Sequence, residues 1–462
     1  MLLGQLGVYL SQERKIVIIG CGAGGGTAAQ FARKTDRKAS VTIIEKDKYP
    51  QYSKCGLPYA ISGIIPKYDD LIEFSENWFK TTKIKLLLET TVEKIDTQKK
   101  VVIAKRGSNV IEKPYGSLII ATGAMPSIPP IDNIMKQGKL INSVFVLRTI
   151  DDAKDISSSI IKGKNATIIG AGFIGLELAE SLYKKEMKIT VVETLPSILA
   201  NTLDQYMSKI VFDEISKKVE IFTDHIVTRI ESNSGKITKV FLKDNKTGTE
   251  KEIKTDLLII AAGLKPKTVL AKDIGCKLNE NGYIIVNNKC ETSVKDVYAI
   301  GDCTEFKEFV SKKSVPIGLG SIAVRQGISA GTNAAGGNYT LLDGVLQTCT
   351  SEFFGMEIAS IGSSDENLVT GKFNGSSLPH YFPGGKPITI KVFANKDGKI
   401  LGAQAVGDNA AQRINTIAAA ILGNLDIETF RKLETAYAPP VAPILDAITL
   451  ACDIISAKLL RK

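Results

Sequence analysis

Unbroken apolar runs alternate along this chain with glycine clusters and with stretches whose apolar positions recur at helical spacing. Lys15-Ile16-Val17-Ile18-Ile19 reads as a parallel strand covered on both faces, because no polar residue interrupts it after Lys15. Glycines follow (Gly20-Cys21-Gly22-Ala23-Gly24-Gly25), then a helix over Thr27-Ala28-Ala29-Gln30-Phe31-Ala32. A second strand, Val41-Thr42-Ile43-Ile44, closes at Glu45. This is a βαβ unit with a G-x-G-x-x-G loop and an acid about 25 residues after the first glycine. The pattern recurs as strand Ala166–Ile169, loop Gly170-Ala171-Gly172-Phe173-Ile174-Gly175, helix Leu176–Lys184, strand Ile189–Val192 and Glu193. Two copies imply two nucleotide-binding domains. Leu118–Gly123 and Leu257–Gly263 each look like a strand returning to its sheet before the chain crosses to another domain.

Past about Gly337 the pattern changes. Ile388–Phe393 and Ile400–Val406 predict a hairpin turned at Lys396-Asp397-Gly398, and Ala410–Leu422 predicts a helix ended by Gly423. The fold class expected is α/β, with two doubly wound Rossmann-like domains and a C-terminal α+β module. The boundaries read from the sequence are 14–149, 150–262, 263–336 and 337–462, the first and third forming one domain. Such a count suits 462 residues at about 100–200 residues per domain.

Composition changes the picture little. The net charge is +10, but Lys and Arg are scattered, as on a solvated lysine-rich surface. There is no basic-aromatic stripe and no zinc-finger spacing, so neither nucleic acid nor a metal is expected. Met1–Leu10 is apolar but short and lacks a basic start, which makes a poor signal peptide and too little to span a membrane. Seven widely spaced cysteines fit a reducing cytoplasm better than a disulfide framework.

The candidate chemistry centres on Cys55, in Tyr52-Ser53-Lys54-Cys55-Gly56-Leu57-Pro58-Tyr59, with no cysteine partner nearby in sequence. A lone cysteine beside a nucleotide loop suggests a thiol that cycles against an external sulfur compound. Gly56-Leu57-Pro58 resembles a first helical turn, where proline is tolerated. The dipole of that helix and the charge of Lys54 are expected to lower the thiol pKa from about 8.5 to roughly 3.5–7.5. Cys21, Cys276, Cys290, Cys303, Cys349 and Cys452 are expected to be packing residues. Each glycine loop lets backbone approach a pyrophosphate at a helix N-terminus, and Glu45 and Glu193 can accept ribose hydroxyls. Glu193 favours a free 2′-hydroxyl, hence NADH, with NADPH left open. A third signal is Val297–Ile300 ending in Gly301-Asp302, which can place a carboxylate near a cofactor hydroxyl.

The order of glycine loop, single cysteine, Ala121-Thr122-Gly123, second loop, Ala261-Ala262-Gly263 and Gly301-Asp302 resembles the flavin-dependent pyridine nucleotide–disulfide oxidoreductases, from about Lys15 to Tyr437-Ala438-Pro439-Pro440. Within them it is similar to the single-cysteine branch of coenzyme A disulfide reductases, NAD(P)H:sulfur oxidoreductases, NADH oxidases and NADH peroxidases. The resemblance implies FAD on Gly20, Gly22, Ala23, Gly25, Glu45 and Lys46, lined further by Ala121, Thr122, Gly123 and Gly301, with Asp302 on its ribityl chain. It implies NADH on Gly170, Gly172, Ile174, Gly175, Glu177, Glu193, Ala262 and Gly263, with Phe173 as an aromatic gate over the flavin. It also implies a C-terminal domain that makes a homodimer. Tyr437 then matches an active-site tyrosine from the partner subunit, and Tyr381 is a second candidate acid.

Departures from the family narrow the chemistry. Neither a cysteine pair nor a C-terminal His–Glu base is present, and His225 and His380 are placed differently. Ala23 stands where peroxidases and oxidases of this branch usually carry histidine, which moves weight toward disulfide or polysulfide reduction. Gln51 and Lys54 replace the Ser and Asn of many coenzyme A disulfide reductases, so their pantetheine contacts do not transfer. Val441-Ala442-Pro443-Ile444-Leu445-Asp446 looks like the archaeal sulfur-reducing enzymes, and no rhodanese-like stretch precedes Lys462. The expectation is a homodimeric, NADH-dependent, FAD-containing reductase of small disulfides, persulfides or polysulfides, with coenzyme A as substrate or as a mixed disulfide on Cys55. Alternatives are an NADH oxidase working through a cysteine sulfenic acid and a flavoprotein redox sensor with little turnover.

Overall fold

The computed structural model describes residues 13–461. The expectation placed on Met1–Leu10 lies outside them. Strand β1 (Lys15–Ile19) is exposed at Lys15 and buried from Ile16 onward. Helix α1 (Ala23–Thr35) leaves the glycine loop directly, with Gly22 as its N-cap and no capping side chain. The sequence placed this start at Thr27; instead Gly24, Gly25 and Gly26 are already helical. Strand β2 (Ser40–Ile44) pairs in parallel with β1, Ile16 opposite Val41. A 3-10 turn, Lys54–Gly56, leads into the short helix α2 (Leu57–Ser62). Strand β3 (Lys85–Leu87) extends the sheet beyond β2, and β4 (Ser117–Ile120) flanks β1 on the other side.

Strand β5 (Ala124–Pro126) starts the crossing to the second sheet. There β6 (Val144–Val146), β7 (Asn165–Ile169), helix α3 (Phe173–Lys184), β8 (Lys188–Val192), β9 (Glu220–Phe222) and β10 (Leu257–Ile260) repeat the plan. Strand β11 (Leu264–Pro266) returns antiparallel to β5, so both crossings run side by side. Strand β12 (Val297–Ala299) then joins β4. The first sheet is ordered β12-β4-β1-β2-β3 and the second β6-β10-β7-β8-β9, both parallel; β4-β1-β2-β3 and β10-β7-β8-β9 share one arrangement, while the edge strand comes last along the chain in the first sheet (β12) and first in the second (β6). The second sheet's edge strand β6 precedes residue 150. Helix α3 starts at Phe173 rather than the expected Leu176, for the same reason as α1: each loop is only as long as its turn, and its last glycines are helical. Helix α4 (Gly320–Ala334) crosses α1 at backbone contact, where a Cβ on Gly331 would lie 2.2 Å from the Ala28 carbonyl oxygen.

The C-terminal part is an antiparallel sheet of β13 (Cys349–Phe353), β14 (Met356–Gly362), β15 (Val369–Ser376), β16 (Pro387–Ala394) and β17 (Ile400–Gly407), ordered β13-β14-β17-β16-β15. The expected hairpin is β16–β17, its turn held by Asn395 Oδ1 accepting from the Asp397 and Lys399 N–H groups. Helix α5 (Ala410–Leu422) buries Ala410, Ile414, Ile417 and Ile421, the apolar stripe of an amphipathic helix. They pack with Ile390 and Val392 of the sheet and with Ile448 and Ile455 of α6 (Ala447–Leu460). A Lys391–Asp204 ion pair of 2.5 Å joins this sheet to the second nucleotide module. No helix among the described residues is long and apolar enough to cross a membrane.

Candidate active site

The two glycine loops are built alike. Gly20 and Gly170 both have φ +105°, and a Cβ on either would strike the Ala121 or Ala261 carbonyl oxygen at 2.3 or 2.4 Å. Gly25 and Gly175 press their helices onto the strands: a Cβ would lie 2.0 or 1.9 Å from the carbonyl oxygen of Gly20 or Gly170. Gly22 and Gly172 differ, since a Cβ there would meet nothing within 4 Å. The protein itself therefore does not require glycine at those two positions, and the space beside each stays open to a ligand. Each loop faces the N-terminus of a helix with free donors and a positive dipole end, which suits a pyrophosphate.

The acids expected to meet ribose hydroxyls also hold the loops. Glu45 accepts from the N–H groups of Cys21 (2.6 Å) and Asp47 (2.9 Å). Glu193 accepts from those of Ala171 (2.7 Å) and Leu195 (2.9 Å). Such charge-assisted bonds are worth about 1.5–3 kcal/mol each, and each oxygen keeps a lone pair for a ligand. The cradles thus fit two dinucleotides.

The return strands complete the first cradle. Ala121 N–H bonds to the Ile19 carbonyl, Thr122 Oγ1 donates to the Lys267 carbonyl, and Lys267 N–H donates to that of Gly123. Gly301, at φ +76°, donates its N–H to Gln326 Oε1. Ala262 is exposed beside the second loop, and Gly263 accepts from Ser127. Asp302 pairs with Arg148 at 2.7 Å, both largely buried, and the Arg148 Nε is buried with no protein partner. Lys46 is exposed near Lys267, whose ammonium is pushed down to about 8 by burial and by Lys46, Lys54 and Arg148.

Cys55 is exposed, in the 3-10 turn before α2, with Pro58 in the first turn of that helix as expected. The expected lowering of its pKa is not found. Crowding by protein on its inner side pushes the thiol up, the carboxylates of Glu177 and Asp302 add to that, and Arg148 opposes them. Two physical reasons account for the correction. Helix α2 has only six residues and its N-cap is Gly56, so its dipole is weak at the sulfur. Lys54 sends its Nζ over the Tyr52 ring, 5.9 Å from the centroid, instead of toward the thiol. Gln51 is buried against α1 at 7% exposure, its Oε1 without a protein partner, and so offers nothing to a ligand arm at the surface.

Helix α3 carries Phe173, Glu177 and Ser181 on one face. Phe173 stacks on the buried Phe353 ring, centroids 6.0 Å apart. Glu177 Oε1 accepts from Ser351 Oγ at 2.7 Å, and Ser181 Oγ donates to the Pro58 carbonyl at 2.8 Å. Ile174, beside Phe173, is exposed at the mouth of the second loop. Ala23 opens α1 and carries no donor.

Tyr381 and Tyr437, far apart in sequence, bring their hydroxyls to 2.8 Å from one another on the exposed face of the C-terminal part. That bond pushes the Tyr381 hydroxyl pKa up. Arg148, Lys267, Ser351 and Phe353 were not singled out from the sequence. The isolated Arg148 after an apolar run was the one visible signal; nothing local marks the others.

The fold and the paired cradles define a pyridine nucleotide–disulphide oxidoreductase, and the chain belongs to that family: its family model matches residues 14–327, and the model of its dimerisation domain matches residues 349–447. With the family come FAD and a pyridine nucleotide as cofactors. An NADH oxidase of Methanocaldococcus jannaschii is 35% identical, over 97% of this chain and 100% of its own. A coenzyme A-dependent NAD(P)H sulfur oxidoreductase of Pyrococcus abyssi is 31% identical over 96% of this chain and 98% of its own. The solved structure of an NAD-dependent persulfide reductase from A. fulgidus superposes with a TM-score of 0.90 at 32% identity, covering 96% of this chain and 83% of that one.

Proposed function

We propose that the protein is a cytoplasmic, homodimeric, NADH-dependent reductase of small disulfides, persulfides or polysulfides, and that Cys55 is its redox thiol. The observation that carries the reading is a single exposed cysteine placed where Asp302 and Arg148 of the FAD module and Glu177 of the NADH helix all act on its sulfur. Gly20, Gly22, Ala23, Gly25, Glu45, Lys46, Ala121, Thr122, Gly123, Gly301 and Asp302 hold FAD in this proposal. Gly170, Gly172, Phe173, Ile174, Gly175, Glu177, Glu193, Ala262 and Gly263 hold NADH.

FAD, held by the first cradle, would supply the two-electron chemistry that links NADH to a disulfide at Cys55. The chain does the rest. As a thiolate, Cys55 attacks one sulfur of an incoming disulfide, forms a mixed disulfide and expels the other half as a thiolate. Tyr437 of the partner subunit, hydrogen-bonded to Tyr381, gives that thiolate a proton. Reduction then splits the mixed disulfide, frees the second thiol and restores Cys55. Coenzyme A suits the role of thiol carried on Cys55, because the sulfur-reducing relative from Pyrococcus abyssi is coenzyme A-dependent.

Cys55→Ser should retain FAD and lose disulfide reduction by at least about a thousandfold. Full turnover of coenzyme A disulfide or polysulfide by that variant would end the proposal. The name of the Methanocaldococcus relative supports a second reading, oxygen reduction through a Cys55 sulfenic acid. Oxygen uptake by the pure enzyme, set against its coenzyme A disulfide turnover, separates the two.

A further inference from the structure

The stretch that carries Cys55 leaves the first nucleotide module after Gln51 and returns to it at Phe74, whose ring packs on the core beside α1. Backbone bonds clasp the two ends of this excursion. Ser53 N–H donates to the Leu71 carbonyl at 2.8 Å, and Glu73 N–H donates to that of Gln51 at 2.9 Å. What lies between packs elsewhere. Leu57 and Ile61, four apart and so on one face of α2, are 1% and 2% exposed. With Tyr52 and Leu71 they belong to the core that α3 shares with the helix Ile150–Ser159 of the second module. Among the described residues, none from 52 to 72 enters the cores on either side of the first sheet.

Polar groups repeat this arrangement. Ser181 Oγ, on α3, donates to the Pro58 carbonyl at 2.8 Å, three residues past Cys55. Tyr68 Oη donates to the Ala153 carbonyl at 3.1 Å and meets Ser157 Oγ at 2.6 Å, both on the helix Ile150–Ser159. Cys55 lies in the turn where the clasp meets α2. Gly56 beside it is pressed on Leu71, since a Cβ there would fall 2.3 Å from Leu71 Cδ2. The turn is thus wedged between Leu71 and α2, and the second module holds both.

We propose that Ser181 and Tyr68 are positioning residues: they fasten the Cys55 turn to the second nucleotide module, which thereby sets the place of the thiol relative to a flavin in the first. This rests on the reading of Cys55 as the redox thiol. Loosening either fastening shifts the thiol and leaves both glycine loops intact. Electron passage between flavin and thiol then slows, whereas reduction of the flavin by NADH, which uses the loops and not α2, does not. The effect is large for a small displacement, because a shift of about 1 Å can cost up to about a hundredfold in rate.

The test compares the FAD-loaded dimer with its Ser181→Ala and Tyr68→Phe variants by two readouts. The first is hydrogen exchange followed by mass. Amides of α2 should exchange about fivefold faster in each variant, the factor that one net hydrogen bond represents, while those of β1 and β2 keep their wild-type rates. The second is rapid mixing without oxygen. Bleaching of the flavin by NADH should stay within about twofold of wild type, and its reoxidation by coenzyme A disulfide should slow at least about fivefold. Tyr68→Phe keeps its ring in the core and serves alone if Ser181→Ala fails to hold flavin. Wild-type exchange of α2 in the variants, reoxidation at the wild-type rate, or bleaching and reoxidation slowed by one common factor would each overturn the proposal. The exchange readout needs no turnover: its failure leaves the reductase reading standing, whereas an active Cys55→Ser enzyme would sink that reading and leave the fastening in place.

Discussion

Lys267 leaves the returning crossing β11 and sits among Lys46, Lys54 and Arg148, with burial pushing its ammonium down to about 8. A diphosphate in the Gly22 cradle would favour the charged form, so binding takes up a proton. FAD affinity should then be greatest below that point and weaken as pH rises through it, by no more than about tenfold per unit. Lys267→Met should bind FAD more weakly at neutral pH and show a flatter profile. Flavin fluorescence against protein concentration, at several pH values, checks both; a wild-type profile unchanged by the substitution counts against the idea. The same cluster shows where single residues could be read from sequence and where they could not. Cys55 declared itself by lacking a partner. Its electrostatics did not, because Glu177, Asp302 and Arg148 arrive from elements about a hundred residues or more away, while the neighbour that sequence offered, Lys54, turns its charge elsewhere.

At the scale of elements, the βαβ units were legible because two local rules agree: apolar runs for covered strands, and glycines where backbone meets backbone. The rules also assign different work to glycines in one loop. Gly175→Ala would place a methyl 1.9 Å from the Gly170 carbonyl oxygen, forcing α3 off β7, and should cost about 2 kcal/mol or more of stability. Gly172→Ala meets no protein atom within 4 Å and should leave the melting temperature unchanged. It should still raise the KM for NADH at least about tenfold, since the methyl fills the space a pyrophosphate needs. Melting curves and NADH titrations of the two variants separate packing from binding; equal stability losses would show that Gly172 too is structural. The expected helix starts fell three to four residues late for the same reason, since G-x-G-x-x-G was read as loop while its last glycines already lie in α1 and α3.

For the whole molecule, the C-terminal part was the least legible, because its site residues converge only in space. Tyr381 and Tyr437 meet at 2.8 Å on an exposed face that also carries Val441, Ile444 and Leu445, a face suited to a two-fold partner. If those hydroxyls serve the Cys55 of the partner subunit, each site in the dimer takes its thiol from one chain and its acid from the other. A Cys55→Ser homodimer has acids without thiols. A Tyr381→Phe/Tyr437→Phe homodimer has thiols without acids and should lose about a hundredfold in turnover. Subunits reassorted from an equal mixture give hybrids in which one of the two sites recovers both groups. Random pairing makes half the dimers hybrid, so activity should return to about a quarter of wild type in a two-fold assembly. A tyrosine acting within its own chain gives no such recovery, since no chain in the mixture then carries both groups. Activity measured before and after denaturation and joint refolding with FAD decides between the two arrangements, and a mixture no more active than its components would remove Tyr437 from the site of the partner subunit.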